Sequence, residues 1–190
     1  MRVIAGTQKG RKLHSPKGPG LRPTADRVKE ALFSILGSRV AGARFLDLYA
    51  GTGAIGIEAL SRGARQVTFV EPNQSALRVL RANLALCGLE AAADVQACSA
   101  EAFLRRTTNG RPSYDILFAD PPYRMDITGE LWPLLADADI AAPDALIILE
   151  HASKVAAPTE HRRLNVLRQY KYGDTTLSVF GLATQDAPAV

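Results

Sequence analysis

At residues 47–56 the chain reads DLYAGTGAIG, so an apolar run leads directly into three closely spaced glycines. The spacing of Gly51, Gly53 and Gly56 matches the fingerprint of a nucleotide-binding turn, which follows a strand and opens a helix. Glycine allows the backbone to approach a ligand closely. Glu71 ends the next apolar run, where a carboxylate can accept hydrogen bonds from ribose hydroxyls. The pattern predicts a site for an adenosine-containing ligand.

Two ligands fit such a turn: a nicotinamide dinucleotide, whose pyrophosphate needs the helix N-terminus, and S-adenosylmethionine, which has no phosphate. Glycine spacing alone does not separate them. Asp47 lies just before the turn, and a carboxylate there repels a pyrophosphate but suits the cationic amino and sulfonium groups of S-adenosylmethionine. The sequence therefore favours the methyl donor.

Around this turn, short apolar runs alternate with longer helical patterns. Strands are predicted over 44–49, 66–71, 94–98, 114–120 and 145–150, and helices over 25–38, 54–62, 73–86 and 127–138. Several runs are apolar almost throughout, as expected for parallel strands covered on both faces. Residues 165–172 and 175–182 flank a Gly-Asp turn and predict an antiparallel hairpin. The fold class is therefore α/β and doubly wound.

Length and composition favour one soluble domain. The chain has 190 residues, of which 47% are hydrophobic, enough for a continuous core. Cys87 and Cys98 lack metal-ligand spacing, as do the three histidines, so we expect a reduced, cytoplasmic setting and no metal. No signal peptide and no apolar run of about 18 residues is apparent, so we expect no membrane association.

Positive charge is concentrated near the start of the chain. The net charge is +4, but the first thirty residues carry eight cations and only Asp26 and Glu30 as acids. Such a segment can follow a phosphate backbone. We predict a basic β extension over 1–23, a catalytic domain over 24–184 with Thr24 as the N-cap of its first helix, and a flexible tail over 185–190.

The fourth predicted strand ends in FADPPY at residues 118–123. Its carboxyl end faces the same crevice as the glycine turn. Two consecutive prolines fix the backbone, so the carbonyl of Pro121 and the carboxylate of Asp120 can converge on one amine. These acceptors can pull a planar amine toward tetrahedral geometry, so that its lone pair points at an activated methyl group. Tyr123 offers a face for base stacking.

Together, RPTADRVKEALF at 22–33, DLYAGTGAIGIEAL at 47–60, FVEPN at 69–73 and FADPPY resemble the bacterial 16S ribosomal RNA guanine-N2 methyltransferase family. The likeness extends from RVIAG at 2–6 and GRKL at 10–13 to the final hairpin. DPPY alone is shared with methylases that act on DNA adenine or cytosine and on protein glutamine. The RPT segment before the glycine turn, together with the small size, gives the likeness its specificity.

The resemblance implies a Rossmann-like methyltransferase fold with a mostly parallel seven-stranded sheet and a C-terminal antiparallel hairpin. It implies that S-adenosylmethionine is converted to S-adenosylhomocysteine, with N2 of one guanine methylated in 16S ribosomal RNA of an assembling or assembled small subunit. We expect a monomer. After the third strand, where many methyltransferases place Asp or Asn against adenine, this chain reads ACSAE at 97–101, so Ser99 is expected to substitute.

The candidate residues form three groups. Cofactor-binding candidates are Asp47, Tyr49, Gly51, Gly53, Glu71, Pro72, Ser99, Ala100 and Asp120. Catalytic candidates are Asp120, Pro121 and Tyr123. Candidates for RNA contact are Arg2, Lys9, Arg11, Lys12, Arg22, Thr24, Arg27, Pro122 and Tyr123.

Three other functions stay open at this point. A nicotinamide-dependent oxidoreductase could use the same glycine turn. A non-catalytic RNA-binding or assembly factor could retain the fold without turnover. A methyltransferase for a DNA amine or a protein glutamine could use the same pair of acceptors, Asp120 and Pro121, because they contact only an amine on a planar group.

Overall fold

A computed structural model describes residues 1–15, 23–106, 114–122, 125–157, 160–161 and 164–182, without the side chains of 23–25, 128 and 160–161. The helices are α1 Pro23–Leu36, α2 Ala54–Ser61, α3 Gln74–Cys87, α4 Ala100–Arg106 and α5 Trp132–Asp137. The strands are β1 Arg44–Leu48, β2 Gln66–Val70, β3 Ala93–Gln96, β4 Tyr114–Ala119, β5 Ala141–Ala152, β6 Glu160–His161, β7 Leu164–Tyr172 and β8 Thr175–Leu182. Short helical turns occur at Gly37–Val40, Glu90–Ala92 and Ile127–Leu131.

All eight strands form one sheet in the order β3-β2-β1-β4-β5-β8-β7-β6. The first five strands in this order are parallel, and β8, β7 and β6 are antiparallel to their neighbours. The predicted α/β class, the parallel strands and the C-terminal hairpin are therefore confirmed. The seven longer strands match the expected sheet, and β6 adds a two-residue edge.

The structure differs from the local expectations in three places. α1 begins at Pro23, so Thr24 lies inside its first turn and is not the N-cap. Proline suits the first helical position because the N–H it lacks would have no helical partner there. The predicted helix over 127–138 starts as a π-helical turn, Ile127–Leu131, before α5. α4 was not predicted.

Both faces of the sheet are buried, which explains why the strands are apolar almost throughout. Phe45 and Phe69 belong to the core layer beneath α1, α2 and α3. Leu46 and Leu117 belong to the opposite layer, which includes residues of α4 and α5. In that layer the Trp132 and Phe180 rings pack with centroids 4.2 Å apart. Alternate strand residues therefore supply two cores.

The strand order creates a crevice at one edge of the sheet. β1 lies between β2 and β4, and Leu48, its last residue, is in register with Val70 and Ala119. The chain winds from β1 toward β3 on one side and through β4 and β5 on the other. Ligands of such sheets bind at this reversal, outside the carboxyl ends of the strands.

Residues 1–15, which we call the N-terminal arm, pack onto the first core layer. An antiparallel bridge joins Arg2 to Lys12, in agreement with the expected β extension. Val3 and Leu13 are buried, and the N–H groups of Ile4 and Ala5 donate to the Glu58 carboxylate at 2.8 and 2.9 Å. Among the described residues, no helix is long and apolar enough to span a membrane.

Candidate active site

The glycine turn is built as the sequence predicts, between β1 and α2. Gly53 has a φ of 82°, in the left-handed region, and a Cβ there would lie 2.2 Å from Leu80 Cδ1. A Cβ on Gly56 would lie 2.2 Å from the Phe69 ring. A larger residue at Gly53 would press the turn against α3 and strain its left-handed backbone, and one at Gly56 would force α2 away from β2.

Asp47 lies beneath this turn. Its side chain is 1% exposed, and its Oδ2 accepts a hydrogen bond from the Gly56 N–H at 3.0 Å. Burial raises the pKa of Asp47 to about 7, against the lowering effect of that hydrogen bond, and the nearby carboxylates of Asp120 and Glu71 raise it further. Asp47 therefore fixes the start of α2 and gives the turn a negative character when ionised.

Glu71 follows β2 and connects the turn to the next loop. Its Oε2 accepts the Gly51 N–H at 2.8 Å and its Oε1 accepts the Asn73 N–H at 2.8 Å. Each carboxylate oxygen has a further lone pair, so Glu71 can still accept ribose hydroxyls. The backbone contacts hold its carboxylate in place before any ligand arrives.

Tyr49 has an unusual backbone, with a φ of 64°. Left-handed geometry is rare for a residue with a large side chain and concentrates at functional sites. Its hydroxyl donates to Glu101 Oε1 at 3.1 Å and contacts Met125 Sδ at 3.2 Å. Burial, with Glu101 nearby, raises the pKa of Tyr49, so the phenol stays neutral and closes one wall of the crevice.

A cavity of ≈ 530 Å³ occupies the crevice, within the size range of small-molecule sites. Its described lining contains three carboxylates, those of Glu71, Glu101 and Asp120, and no Lys, Arg or His. This lining suits a cationic sulfonium nucleoside and disfavours a pyrophosphate. The lining residues are Tyr49, Glu71, Pro72, Ser99, Ala100, Glu101, Asp120, Pro121, Pro122 and Met125. We call it the central cavity.

Six of the nine cofactor-binding candidates line the central cavity, and Asp47, Gly51 and Gly53 do not. Those three shape the turn that borders it. Glu101 and Met125 were not predicted. Glu101 is the acid two residues after Ser99 in ACSAE, so its position after the third strand could have marked it as a candidate. Nothing in the local sequence indicated that it would bond to Tyr49.

Asp120 and Pro121 lie together in this cavity, directly after β4. Burial raises the pKa of Asp120 to about 6, although its side chain keeps an exposed surface toward the opening. Glu150, near the end of the adjacent strand β5, has a pKa raised to about 8 by burial and by Asp120. Because the two carboxyl groups repel each other when both are ionised, they titrate as a pair, and their shared proton is held to higher pH than by an isolated carboxyl group.

Some predicted residues fall outside the described part of the chain: Arg22, Tyr123 and the side chain of Thr24. Five predicted cations are exposed, namely Arg2, Lys9, Arg11, Lys12 and Arg27. Lys29, which contributed to the basic segment, is instead 2% exposed, and its Nζ lies 3.6 Å from Glu58 Oε2. It is therefore structural.

Comparison with known proteins places these features in a family. The family model described as Conserved hypothetical protein 95 matches residues 1–181. The ribosomal RNA small subunit methyltransferase D of Escherichia coli K12 is 36% identical over 180 residues, which are 95% of this chain and 89% of that protein. The Haemophilus influenzae protein of the same name is 40% identical over 152 residues, 79% of this chain and 78% of its own.

Solved structures agree with this likeness. The Escherichia coli protein yhhF has a TM-score of 0.84 and 34% identity, covering 97% of this chain and 99% of that chain. The protein SMU.776, solved in complex with SAH, has a TM-score of 0.69 and 16% identity over 84% of this chain and 50% of that chain, which shows the shared fold. The chain therefore belongs to the Conserved hypothetical protein 95 family, the family of the ribosomal RNA small subunit methyltransferase D proteins.

Proposed function

We propose that this protein is an S-adenosylmethionine-dependent methyltransferase that modifies the exocyclic N2 amine of a guanine in small-subunit ribosomal RNA. Family membership and the names of the relatives support ribosomal RNA methylation. The observation that carries the proposal is the presence of Asp120, Pro121 and Glu71 in one cavity. In the proposal, the amine clamp and the ribose acceptor therefore belong to one site.

The donor end of the cavity is formed by Glu71, Pro72, Ser99 and Ala100. Glu71 is placed to accept ribose hydroxyls, and Ser99 and Ala100 to border the adenine. Tyr49, with Asp47 and the glycines beneath it, borders the methionine end. When bound, S-adenosylmethionine supplies an activated methyl group on a sulfonium, and the acidic lining suits its positive charge.

At the acceptor end, Asp120 and the Pro121 carbonyl each accept one N–H of the target amine. The nitrogen lone pair, otherwise delocalised into the ring, is thereby freed to face the methyl group. As the N–CH₃ bond forms, the bond from the sulfonium to that methyl group would break, and a neutral thioether would leave with the bonding electrons. The amine becomes positive, and the Asp120 carboxylate stabilises that charge. The nitrogen then loses one proton, which Asp120 can accept because its pKa is raised to about 6.

Substrate RNA is held outside this cavity in the proposal. The exposed cations of the N-terminal arm and Arg27 contact the phosphate backbone, and Arg22 and Thr24 are assigned to RNA contact from the sequence. Tyr123 stacks on the target base, which is turned out of its loop, and Pro122 borders it. We expect a cytoplasmic monomer acting on ribosomal RNA within the small subunit.

The test uses purified protein, tritiated S-adenosylmethionine and small ribosomal subunits that lack the modification. We expect label in N2-methylguanosine after nucleoside digestion and mass spectrometry. Asp120→Ala should lower transfer by at least about 100-fold, far more than it weakens donor binding measured by calorimetry. Asp144→Ala, an exposed acid on β5, is the matched control.

Three outcomes would contradict parts of the proposal. Undiminished transfer by Asp120→Ala would reject the clamp. Label in another base, in DNA or in a protein glutamine would reject guanine N2. Tight binding of NADH or NADPH without binding of S-adenosylmethionine would favour the oxidoreductase instead.

A further inference from the structure

A second concavity lies between the N-terminal arm and α3, outside the central cavity. Its volume is ≈ 670 Å³, and it is open to solvent. Its apolar part consists of small side chains, Ala76, Val79 and Ala82, and its described lining also includes polar groups and one cation, Arg78. The full set is His14, Asn73, Ser75, Ala76, Arg78, Val79 and Ala82. We call it the α3 groove.

Hydrogen bonds fix the two sides of the α3 groove relative to each other. The His14 N–H donates to Asn83 Oδ1 at 2.7 Å, and Asn83 Nδ2 donates back to the His14 carbonyl at 3.1 Å. Asn83 is fully buried. Farther along, Arg11 Nη1 donates to the Leu86 carbonyl at 2.6 Å. The groove is therefore preformed and does not depend on a ligand for its shape.

The α3 groove is also connected to the active site. Asn83 Nδ2 donates to the carbonyl of Thr52, in the glycine turn, at 3.0 Å. Asn73, at one end of the groove, donates its backbone N–H to Glu71, which lines the central cavity. Because Asn73 lines the groove and the preceding Pro72 lines the central cavity, the two concavities adjoin at these residues.

The charged side chains of α3 are all positive. The helix reads QSALRVLRANLALC and contains two arginines and no acid. Arg78 and Arg81 are both exposed, but only Arg78 lines the groove. Arg11 of the neighbouring arm is also exposed, and its guanidinium donates to the Leu86 carbonyl near the end of α3. A polyanion is therefore the ligand class that this surface favours.

We propose that the α3 groove binds one nucleotide of the RNA strand that carries the target base. Arg78 pairs with a phosphate, and the ribose or base lies against the small apolar side chains, which leave room for a flat ring. The inference rests on the proposed function and extends it, because none of the groove residues takes part in the amine clamp or the donor site.

The decisive comparison is between two arginines on the same helix. With unmodified small subunits at about 150 mM salt, Arg78→Ala should raise KM roughly tenfold and lower the log–log salt slope of RNA affinity by about 0.7 to 0.9. Arg81→Ala, equally exposed but outside the groove, should change KM less than about twofold. kcat at saturating substrate and the donor Kd should stay near wild type in both variants.

A second pair tests the groove without removing a cation. Ala82→Glu places an acid in the groove, and Ala85→Glu places one on the same helix outside it. Glutamate is a good helix former, so both variants should fold. We expect KM to rise at least tenfold for Ala82→Glu and to stay within about threefold for Ala85→Glu.

The outcomes separate this inference from the proposed function. If wild-type protein methylates RNA but Arg78→Ala and Ala82→Glu match their controls, the groove inference is overturned and the function stands. If no methyl transfer occurs, fluorescence anisotropy with a labelled single-stranded RNA still tests the groove, and equal RNA Kd values for wild type and Arg78→Ala overturn it. A defect seen on subunits but absent on isolated RNA would indicate a ribosomal protein as the occupant and would also overturn it.

Discussion

Asp47 combines deep burial with a single hydrogen bond from the protein among the described contacts, the one from Gly56. An ionised carboxylate loses most of its hydration at such a position, and one N–H does not replace it. This is why its pKa rises to about 7 from an ordinary value of 3.8. A cationic ligand bound nearby would offset this cost of burying the ionised carboxylate.

The raised pKa of Asp47 predicts a pH-dependent stability. Between about pH 4 and pH 7 the folded protein holds a proton that the unfolded chain has released, so the free energy of unfolding falls as pH rises through this window. Asp47→Asn removes this contribution and can keep the acceptor for Gly56. We expect the variant to gain roughly 2 to 4 kcal/mol relative to wild type between pH 5 and pH 8, measured by urea unfolding without ligand.

The free energies of unfolding of the two proteins must be compared at each pH. Asp120 and Glu150 also have raised pKa values, so they make the stability of both proteins depend on pH. A stability difference between wild type and Asp47→Asn that is the same at pH 5 and pH 8 would mean that Asp47 ionises without penalty in the fold.

At this scale, the sequence located residues that depend on local pattern. Glu71 and Asp120 follow strands, and parallel strands place their ends together, so their meeting in the central cavity could be predicted. The burial of Lys29 could not, because its partner Glu58 is distant in the chain and belongs to another helix. Tyr49 bonding to Glu101 is likewise a tertiary contact.

At the scale of elements, the packing of α2 on β2 depends on Gly56. Its missing side chain allows the Phe69 ring and Val67 to approach the helix, where a Cβ would lie 2.2 and 2.8 Å from their atoms. The same helix begins at the glycine turn and is bonded to Asp47. The position of the turn therefore depends on how closely α2 lies against the sheet.

Gly56→Ala should destabilise the protein by about 1 to 3 kcal/mol through overpacking, despite the better helix propensity of alanine. It should also weaken S-adenosylmethionine binding, because α2 carries the turn. Chemical denaturation and calorimetry measure the two effects. Phe69→Leu makes room for the new methyl group, so the double variant should be more stable than the sum of the single effects by about 1 kcal/mol.

Strict additivity of Gly56→Ala and Phe69→Leu would show that the methyl group is accommodated elsewhere.

The elements that the sequence did not predict are those with weak local signals. α4 has only seven residues, too few for a clear helical period, and β6 has two, which become a strand only by pairing with β7. Long apolar runs, in contrast, predicted β1, β2 and β4 within about two residues.

At the scale of the whole molecule, the N-terminal arm is bound to three parts of the fold. Glu58, fully buried in α2, accepts the N–H groups of Ile4 and Ala5. Lys29 of α1 donates to the Arg2 carbonyl at 2.7 Å and pairs with the same Glu58. Asn83 of α3 holds His14. The arm therefore bridges all three helices of one layer.

Deleting residues 1–15 should consequently unfold or strongly destabilise the protein, and not merely weaken its affinity for RNA. The deletion removes the buried Val3 and Leu13, and it takes away the Ile4 and Ala5 N–H groups from Glu58 and the His14 backbone from Asn83. Glu58 keeps Arg62 and Lys29, and Asn83 keeps the Thr52 carbonyl, but the hydrogen bonds lost in this desolvated layer still cost about 1 to 3 kcal/mol each. A melting temperature lower by 10 °C or more is expected, measured by circular dichroism.

The double variant Lys9→Ala/Lys12→Ala separates charge from packing, because both side chains are exposed and neither is buried in the core. It should melt within a few degrees of wild type while losing RNA affinity in a salt-dependent way. A domain boundary is predicted after residue 23. Comparing the deletion with the double lysine variant tests whether the segment before that boundary folds independently of the rest of the protein. A deletion variant that melts like wild type and loses only RNA binding would make the arm an independent appendage. Its contacts to Glu58 and Asn83 would then contribute little to the free energy of folding, since removing them together would leave the rest of the layer intact.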